Sequence, residues 1–233
     1  MLETGATHIG VATDHIIESF RNQLWDGYKT GFGIDPILWS QFHPLEDALG
    51  AMGVEVWPMI ELEADDALAS AAWIAQQDSN VEKICIWTPD KDLAQCVLED
   101  RVVQVDGSRN IIRDAAGVEA KFGVRPTSIP DYLALVGDAA DGYPGIPGFG
   151  AKKAARILQR FGHIEAITDG ALGDHHELAM LFKQLATLRS DAPLFESVDQ
   201  LRWLGPTPSF AKFAELIDAP ELAERAGKAA EKI

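Results

Sequence analysis

Four times along this chain a short apolar run ends in carboxylates, and that recurrence limits the possible folds more than any other feature. His8 to Ala12 leads into Asp14, and Val54 to Ile60 leads into Glu61, Glu63, Asp65 and Asp66. Lys83 to Trp87 leads into Asp90 and Asp92, and the apolar stretch Ile129 to Val136, which reads as a helix, breaks at Gly137 into Asp138 and Asp141. Short apolar runs followed by turn and helix sequence suit buried strands, and open α/β sheets collect their ligand groups beyond the carboxyl ends of the strands. A parallel-sheet α/β layer is therefore expected, with the acids lining one crevice. Each acid also has an ordinary reading: Asp14 as a helix cap, Glu63 to Asp66 as partners of a helix dipole, Asp90 and Asp92 as a solvated turn. Four acids within residues 61–66 exceed what one helix terminus uses. Crowded carboxylates repel unless a cation is shared among them. All-oxygen ligands without a His/Cys cluster favour Mg²⁺ or Mn²⁺ over zinc, and two such ions suit in-line phosphoryl displacement.

The last of these junctions continues into a different kind of sequence. Gly145, Gly148 and Gly150, stiffened by Pro144 and Pro147, open onto a helix bearing Lys152, Lys153, Arg156 and Arg160, with no acid between Pro144 and Arg160. Glycines let backbone N–H groups approach a phosphate, and a helix N-terminus adds positive potential. The segment reads as a phosphate-backbone clamp beside a metal site. The formal net charge of −16 argues against unspecific nucleic-acid affinity, so any such binding must rely on this local segregation of charge.

The remaining segments fill in the architecture. Phe20, Arg21, Trp25, Tyr28, Lys29 and Phe32 lie among Gly27, Gly31 and Gly33, which suits either a single-strand contact by stacking and charge or a partial core with a loop. Spacing predicts a packing helix from Ile37 to Met52 and helices over Ala67 to Gln76, Leu93 to Leu98 and Gly117 to Phe122. Arg101 to Val105 reads as a strand with Ile111-Ile112 as its partner. Later helices are expected at Ile164 to Ile167, His176 to Ser190 and Phe210 to Gly227, with Asp191 to Trp203 returning an extended piece to the first layer. This gives an α/β layer over residues 1–135 and a helical region over residues 136–233. Cys85 and Cys96 are expected to be reduced core residues. The lack of a long apolar span or a basic-then-apolar leader at Met1 predicts a cytoplasmic protein without membrane contact.

Glu63-Ala64-Asp65-Asp66, Thr88-Pro89-Asp90-Lys91-Asp92-Leu93 and Gly137-Asp138-Ala139-Ala140-Asp141, followed by Pro144 to Gly150, resemble the signature blocks of the 5′-nuclease family. That family includes flap endonucleases and the N-terminal 5′–3′ exonuclease domain of bacterial DNA polymerase I. The resemblance implies a PIN-like nuclease domain followed by a helical DNA-binding region, with a helix–hairpin–helix at about residues 136–160. It implies a stand-alone bacterial, nucleoid-associated, monomeric enzyme that hydrolyses DNA at 5′ ends, flaps or nicks. It makes Asp14, Glu63, Asp65, Asp90, Asp92 and Asp141 metal-site carboxylates with Asp66 and Asp138 as extra acids, and it assigns two Mg²⁺ or Mn²⁺ ions. It makes the segment from Arg21 to Phe42 an arch over the site, Lys29 the contact to the scissile phosphate, and Gly145 to Lys153 the duplex grip, with K⁺ at the loop. Asp14, Lys29 and Asp92 are thus the catalytic expectations, and Arg21, Lys29, Gly145, Gly148, Gly150, Lys152, Lys153 and Arg156 the DNA-binding ones. The sequence departs from the family pattern in three places. Phe32 stands where an arch arginine is expected and Gly142 where many relatives have Asn, and no strand with an Asp-Gly site acid precedes Asp14. The third departure keeps open a branched-DNA-binding protein with impaired catalysis, and a PIN-type ribonuclease is a separate reading that keeps the carboxylates but has no use for the glycine clamp.

Overall fold

The protein is described here from a computed structural model covering residue 1, residues 5–168 and residues 170–231. Strand β1 (Gly10–Asp14) pairs in parallel with β2 (Glu55–Met59), placing Asp14 opposite Met59. Strand β3 (Ile84–Trp87) pairs in parallel with β4 (Val102–Asp106), and β4 pairs antiparallel with β5 (Ile111–Arg113). The expected parallel pairings form, but as two sheets rather than one, in the orders β1-β2 and β3-β4-β5. Among the described residues no further strand joins the two sheets.

Burial follows directly from the number of neighbours. Strand β4, flanked on both sides, is buried at all five residues, whereas β3 leaves Cys85 and Trp87 exposed and β1 is nowhere fully buried. Cys85 is therefore a surface thiol and not a core residue. Cys96 is partly covered, and burial pushes its thiol up to about 12. The helix after β2 packs against β1, β2 and β3 together and so bridges both sheets from one face. Its small-residue face explains how it fits: Ala67, Ala69, Ser70, Ala72 and Ala75 are buried.

The helices are α1 (Pro36–Trp39), α2 (Phe42–Ala51), α3 (Ala64–Gln76, the bridging helix), α4 (Ala115–Phe122), α5 (Ile129–Val136), α6 (Ala151–Phe161), α7 (His176–Ala186), α8 (Ser209–Leu216) and α9 (Glu221–Ala230). The helix expected over Ile37 to Met52 is split. Pro44 has no N–H to donate back to Ser40, so the first turn ends and α2 starts anew. Ile37, Leu38 and Leu45 are more than half exposed, so this stretch is not the packing helix its spacing suggested. The helix expected over Phe210 to Gly227 is likewise broken, by Asp218 at φ 56° and by Pro220.

Helix α5 is the centre of the largest core. Seven of its eight residues are buried, and it packs against α6 and α7. Residues 191–203 return to the first layer as expected: Leu201 accepts from the Ile9 N–H at 2.8 Å, and Trp203 donates its N–H to Thr7 at 3.1 Å.

Candidate metal centre and nucleic-acid interface

The strand-end acids converge, though not as one uniform set. Asp92, Asp138 and Asp141 form a tight group in which one carboxylate oxygen of each lies within 4.8 Å of the others. Asp92 sits at the start of a 3₁₀ turn after β3, and its N–H is held at 3.1 Å by the Asp90 side chain. Asp138 and Asp141 sit on the turn that ends α5, where the Asp138 backbone pairs with Tyr143 and its side chain accepts from the Ala140 N–H at 3.0 Å. The left-handed glycines Gly137 and Gly142 make this tight reversal possible, since a Cβ on either would collide with facing backbone.

Asp14, Asp65 and Asp90 surround the group. Asp14 accepts from the Ala64 N–H at 2.7 Å, which joins the end of β1 to the start of α3. Burial, reinforced by the charges of Asp90 and Asp14 against the pull of Lys29, pushes the Asp65 carboxyl up to about 7. Burial and the neighbouring Asp90 and Asp141 raise Asp92 well above the usual carboxylate range, and burial raises Asp14 and Asp141 as well. Asp92 Oδ1 is buried with no hydrogen-bond partner. Carboxylates pressed together, lifted toward protonation and left with an orphaned oxygen are donors in search of a cation, so these residues fit a hard divalent ion.

Three basic side chains pair with acids in and around this group. Arg21, only 1% exposed, gives Nη1 to Glu63 at 2.9 Å and Nη1 and Nη2 to Asp66 at 2.7 Å, and it also donates to the carbonyls of Leu185 and Thr187. Arg21 is thus an internal ion-pair anchor and not a DNA contact. Asp66, fully buried and clasped by both guanidinium nitrogens, is its counter-ion and not a metal ligand. Burial would raise the Glu63 carboxyl, but Arg21 and Lys29 outweigh it and hold it below its ordinary value. Lys29 Nζ lies 2.6 Å from Glu63 and 3.1 Å from Asp141, inside the acidic group. Burial opposes its charge, yet these two acids raise the ammonium well above its usual range. Lys91 pairs with Asp138. Sequence reasoning missed both the Arg21 anchor and the Lys91 contact. Lys91 stands between two acids singled out as ligands, which was the available signal; nothing local marks Arg21 as internal.

The glycine loop separates into two functions. Gly145, left-handed and buried, faces Gly137, where a Cβ would strike backbone; it is a packing glycine and not a surface amide for phosphate. Gly148 and Gly150 are exposed with open space around them, and Gly150 is the N-cap of α6 with no side-chain cap. Ala154 and Leu158 turn inward to the core, while Lys152, Lys153 and Arg156 are exposed on the outer face. Lys153 Nζ lies 3.9 Å over the ring of Phe149, which sets its direction at the loop. Of the aromatics upstream, Tyr28 is buried and donates to Glu63 at 3.3 Å, and Trp25 packs edge-on to Phe182, while Phe32 is 97% exposed.

The described residues thus combine parallel strands, an acidic centre of divalent-cation type and a helical region in which a glycine loop joins α5 to α6. Residues 1–123 match the family model "5'-3' exonuclease, N-terminal resolvase-like domain", and residues 124–209 match "5'-3' exonuclease, C-terminal SAM fold". The chain belongs to the 5′-3′ exonuclease family. It is 31% identical over 195 residues to the 5'-3' exonuclease of Buchnera aphidicola, covering 76% of this chain and 67% of that one. It is 32% identical over 222 residues to DNA polymerase I of Bacillus caldotenax, covering 88% of this chain and spanning only 25% of that relative's length. In fold it is similar to the T5 D15 protein co-crystallized with metal ions, with a TM-score of 0.66 at 18% identity over 97% of this chain and 86% of the other. The catalytic core of Rad2 in complex with DNA substrate aligns with a TM-score of 0.55 at 14% identity, over 94% of this chain and 77% of that one. Among the described residues no helix is long and apolar enough to cross a membrane.

Proposed function

We propose that the chain is a metal-dependent 5′–3′ exonuclease and structure-specific 5′-flap endonuclease that hydrolyses DNA phosphodiesters to 5′-phosphate products. The observation that carries this reading is the group Asp92, Asp138 and Asp141, with its orphaned buried oxygen, on a chain that runs from Asp141 within nine residues into the exposed N-terminus of α6 at Gly150. Asp92, Asp138 and Asp141 would hold one divalent cation, and Asp14, Asp65 and Asp90 carry the charge for a second. Mg²⁺ is the natural occupant of an all-oxygen site, with Mn²⁺ as a substitute. When bound, such an ion supplies charge neutralisation at the phosphoryl oxygens and acidifies a water nucleophile.

The protein's own residues do the rest. Gly148 and Gly150 present backbone amides, and Lys152, Lys153 and Arg156 add charge along the same edge, so the duplex backbone is held without reading its sequence. K⁺ at the loop carbonyls would strengthen that hold. Lys29, held beside the acidic centre by Glu63 and Asp141, is the ammonium that would be placed to take a phosphate oxygen there. Residues 1–135 would carry the cutting and residues 136–233 the grip, with Asp138 and Asp141 reaching across.

A 5′-labelled flap duplex tests the reading. The account expects cleavage in Mg²⁺, arrest by EDTA, and a ligatable 5′-phosphate on the shortened strand. Tight flap binding with no cleavage in either Mg²⁺ or Mn²⁺ would refute it, and preferential cutting of an RNA hairpin would instead identify a ribonuclease.

A further inference from the structure

A second set of ligand-type side chains lies outside the acidic centre. His15 directly follows β1, while His43 and Glu46 stand three apart on α2. Glu46 Oε2 is 2.8 Å from His15 Nδ1 and 3.6 Å from His43 Nδ1, so one carboxylate oxygen serves two imidazoles. The rings are 4.2 Å apart at 61°, and one donor atom of each of the three residues lies within 4.8 Å of the others. The other carboxylate oxygen is fixed by Thr13, whose Oγ1 donates to Glu46 Oε1 at 2.6 Å. The Glu46 side chain is only 10% exposed, while His15 and His43 at 32% and 56% leave one side open to solvent. A carboxylate oriented by an outer hydrogen bond, facing two imidazoles with an open side, has the construction of a three-ligand metal site.

We propose that His15, His43 and Glu46 bind a single divalent transition-metal ion, Zn²⁺ being the best match, with solvent completing its coordination. Imidazole nitrogen selects zinc-like ions over Mg²⁺, so this site and the all-oxygen centre would sort different metals within one chain. The ion would join the end of β1 to α2, whose residues are otherwise nowhere fully buried. The sequence conceals it because His15 and His43 are separated by the whole of α1 and the long segment before it.

The test loads metal-free protein with Co²⁺ in an excess of Mg²⁺, which fills oxygen-ligand sites, and then displaces Co²⁺ with Zn²⁺. One equivalent of Co²⁺ should give visible absorption of a nitrogen-ligated ion, abolished by Zn²⁺. His43→Ala and Glu46→Gln should each lose the band, and Thr13→Val should weaken Zn²⁺ binding about 10- to 100-fold. In ¹⁵N imidazole spectra of the wild-type protein, Zn²⁺ should shift His15 and His43 but not His163, His175 or His176. Absence of a Co²⁺ band in the wild-type protein, a band that survives in a folded His43→Ala variant, or shifts confined to His175 and His176 would overturn the proposal.

Discussion

Asp65 is the carboxylate on which the electrostatics of the acidic centre can be measured. Its folded-state value of about 7 lies well above the 3.8 of an unfolded chain. The folded state therefore holds a proton that the unfolded state has lost between those values, and stability contributed by this group falls as pH rises through 7. Linkage with these two values gives a penalty of about 2 kcal/mol at pH 5 and about 4 kcal/mol at pH 8, both upper bounds. Asp65→Asn removes the titration. In EDTA, the variant should gain about 2–3 kcal/mol relative to wild type on going from pH 5 to pH 8, roughly 5–10 °C in melting temperature for a chain of this size. Added Mg²⁺ should stabilise the wild-type protein at pH 8 more than it stabilises Asp65→Asn, because the ion relieves the same repulsion. Thermal melts of both proteins at both pH values, with and without Mg²⁺, suffice. A gap that stays constant with pH, or a variant less stable than wild type at pH 8 in EDTA, would refute the assignment of Asp65 to a crowded, cation-seeking group.

Other consequences follow from the same contacts. Arg21→Met leaves Asp66 and Glu63 buried without their partner and should cost about 3–5 kcal/mol in denaturant unfolding; a loss below about 1 kcal/mol would contradict the anchor role. Lys152→Ala with Lys153→Ala should weaken duplex binding and reduce the slope of log K against log salt by about 1.8, as expected for two phosphate contacts. An unchanged slope would place the grip elsewhere. In the native protein Cys85, at the free edge of β3, should react with a thiol reagent in a fast single equivalent. Cys96, with its thiol pushed up to about 12, should react only on unfolding; slow reaction at both would mean that something covers β3.

The signals that were legible in the sequence are local ones. The acids after each strand, the end of α5 at Val136 and the basic face of α6 all follow from spacing and from Gly and Pro punctuation, and each is where it was expected. What spacing could not convey is which acids are spent on internal pairing. Arg21 reaches Glu63 and Asp66 over more than 40 residues of chain, and that contact alone turns Asp66 from a ligand into a counter-ion. Gly145 and Gly148 look alike in sequence, and only the facing backbone of Gly137 separates a packing glycine from an open one. The separation into two sheets was hidden for the same reason, since a strand's apolar pattern gives neither the number of its neighbours nor, at Cys85 and Trp87, its burial.

Asp92 carries the central claim, and single-turnover cleavage of a 5′-flap duplex by wild type and Asp92→Asn, alongside binding of the same duplex in Ca²⁺, tests it most directly. The account predicts flap affinity within about twofold of wild type and cleavage slowed at least about 100-fold, a loss of roughly 2.7 kcal/mol or more of transition-state stabilisation. Cleavage by Asp92→Asn at the wild-type rate would contradict it.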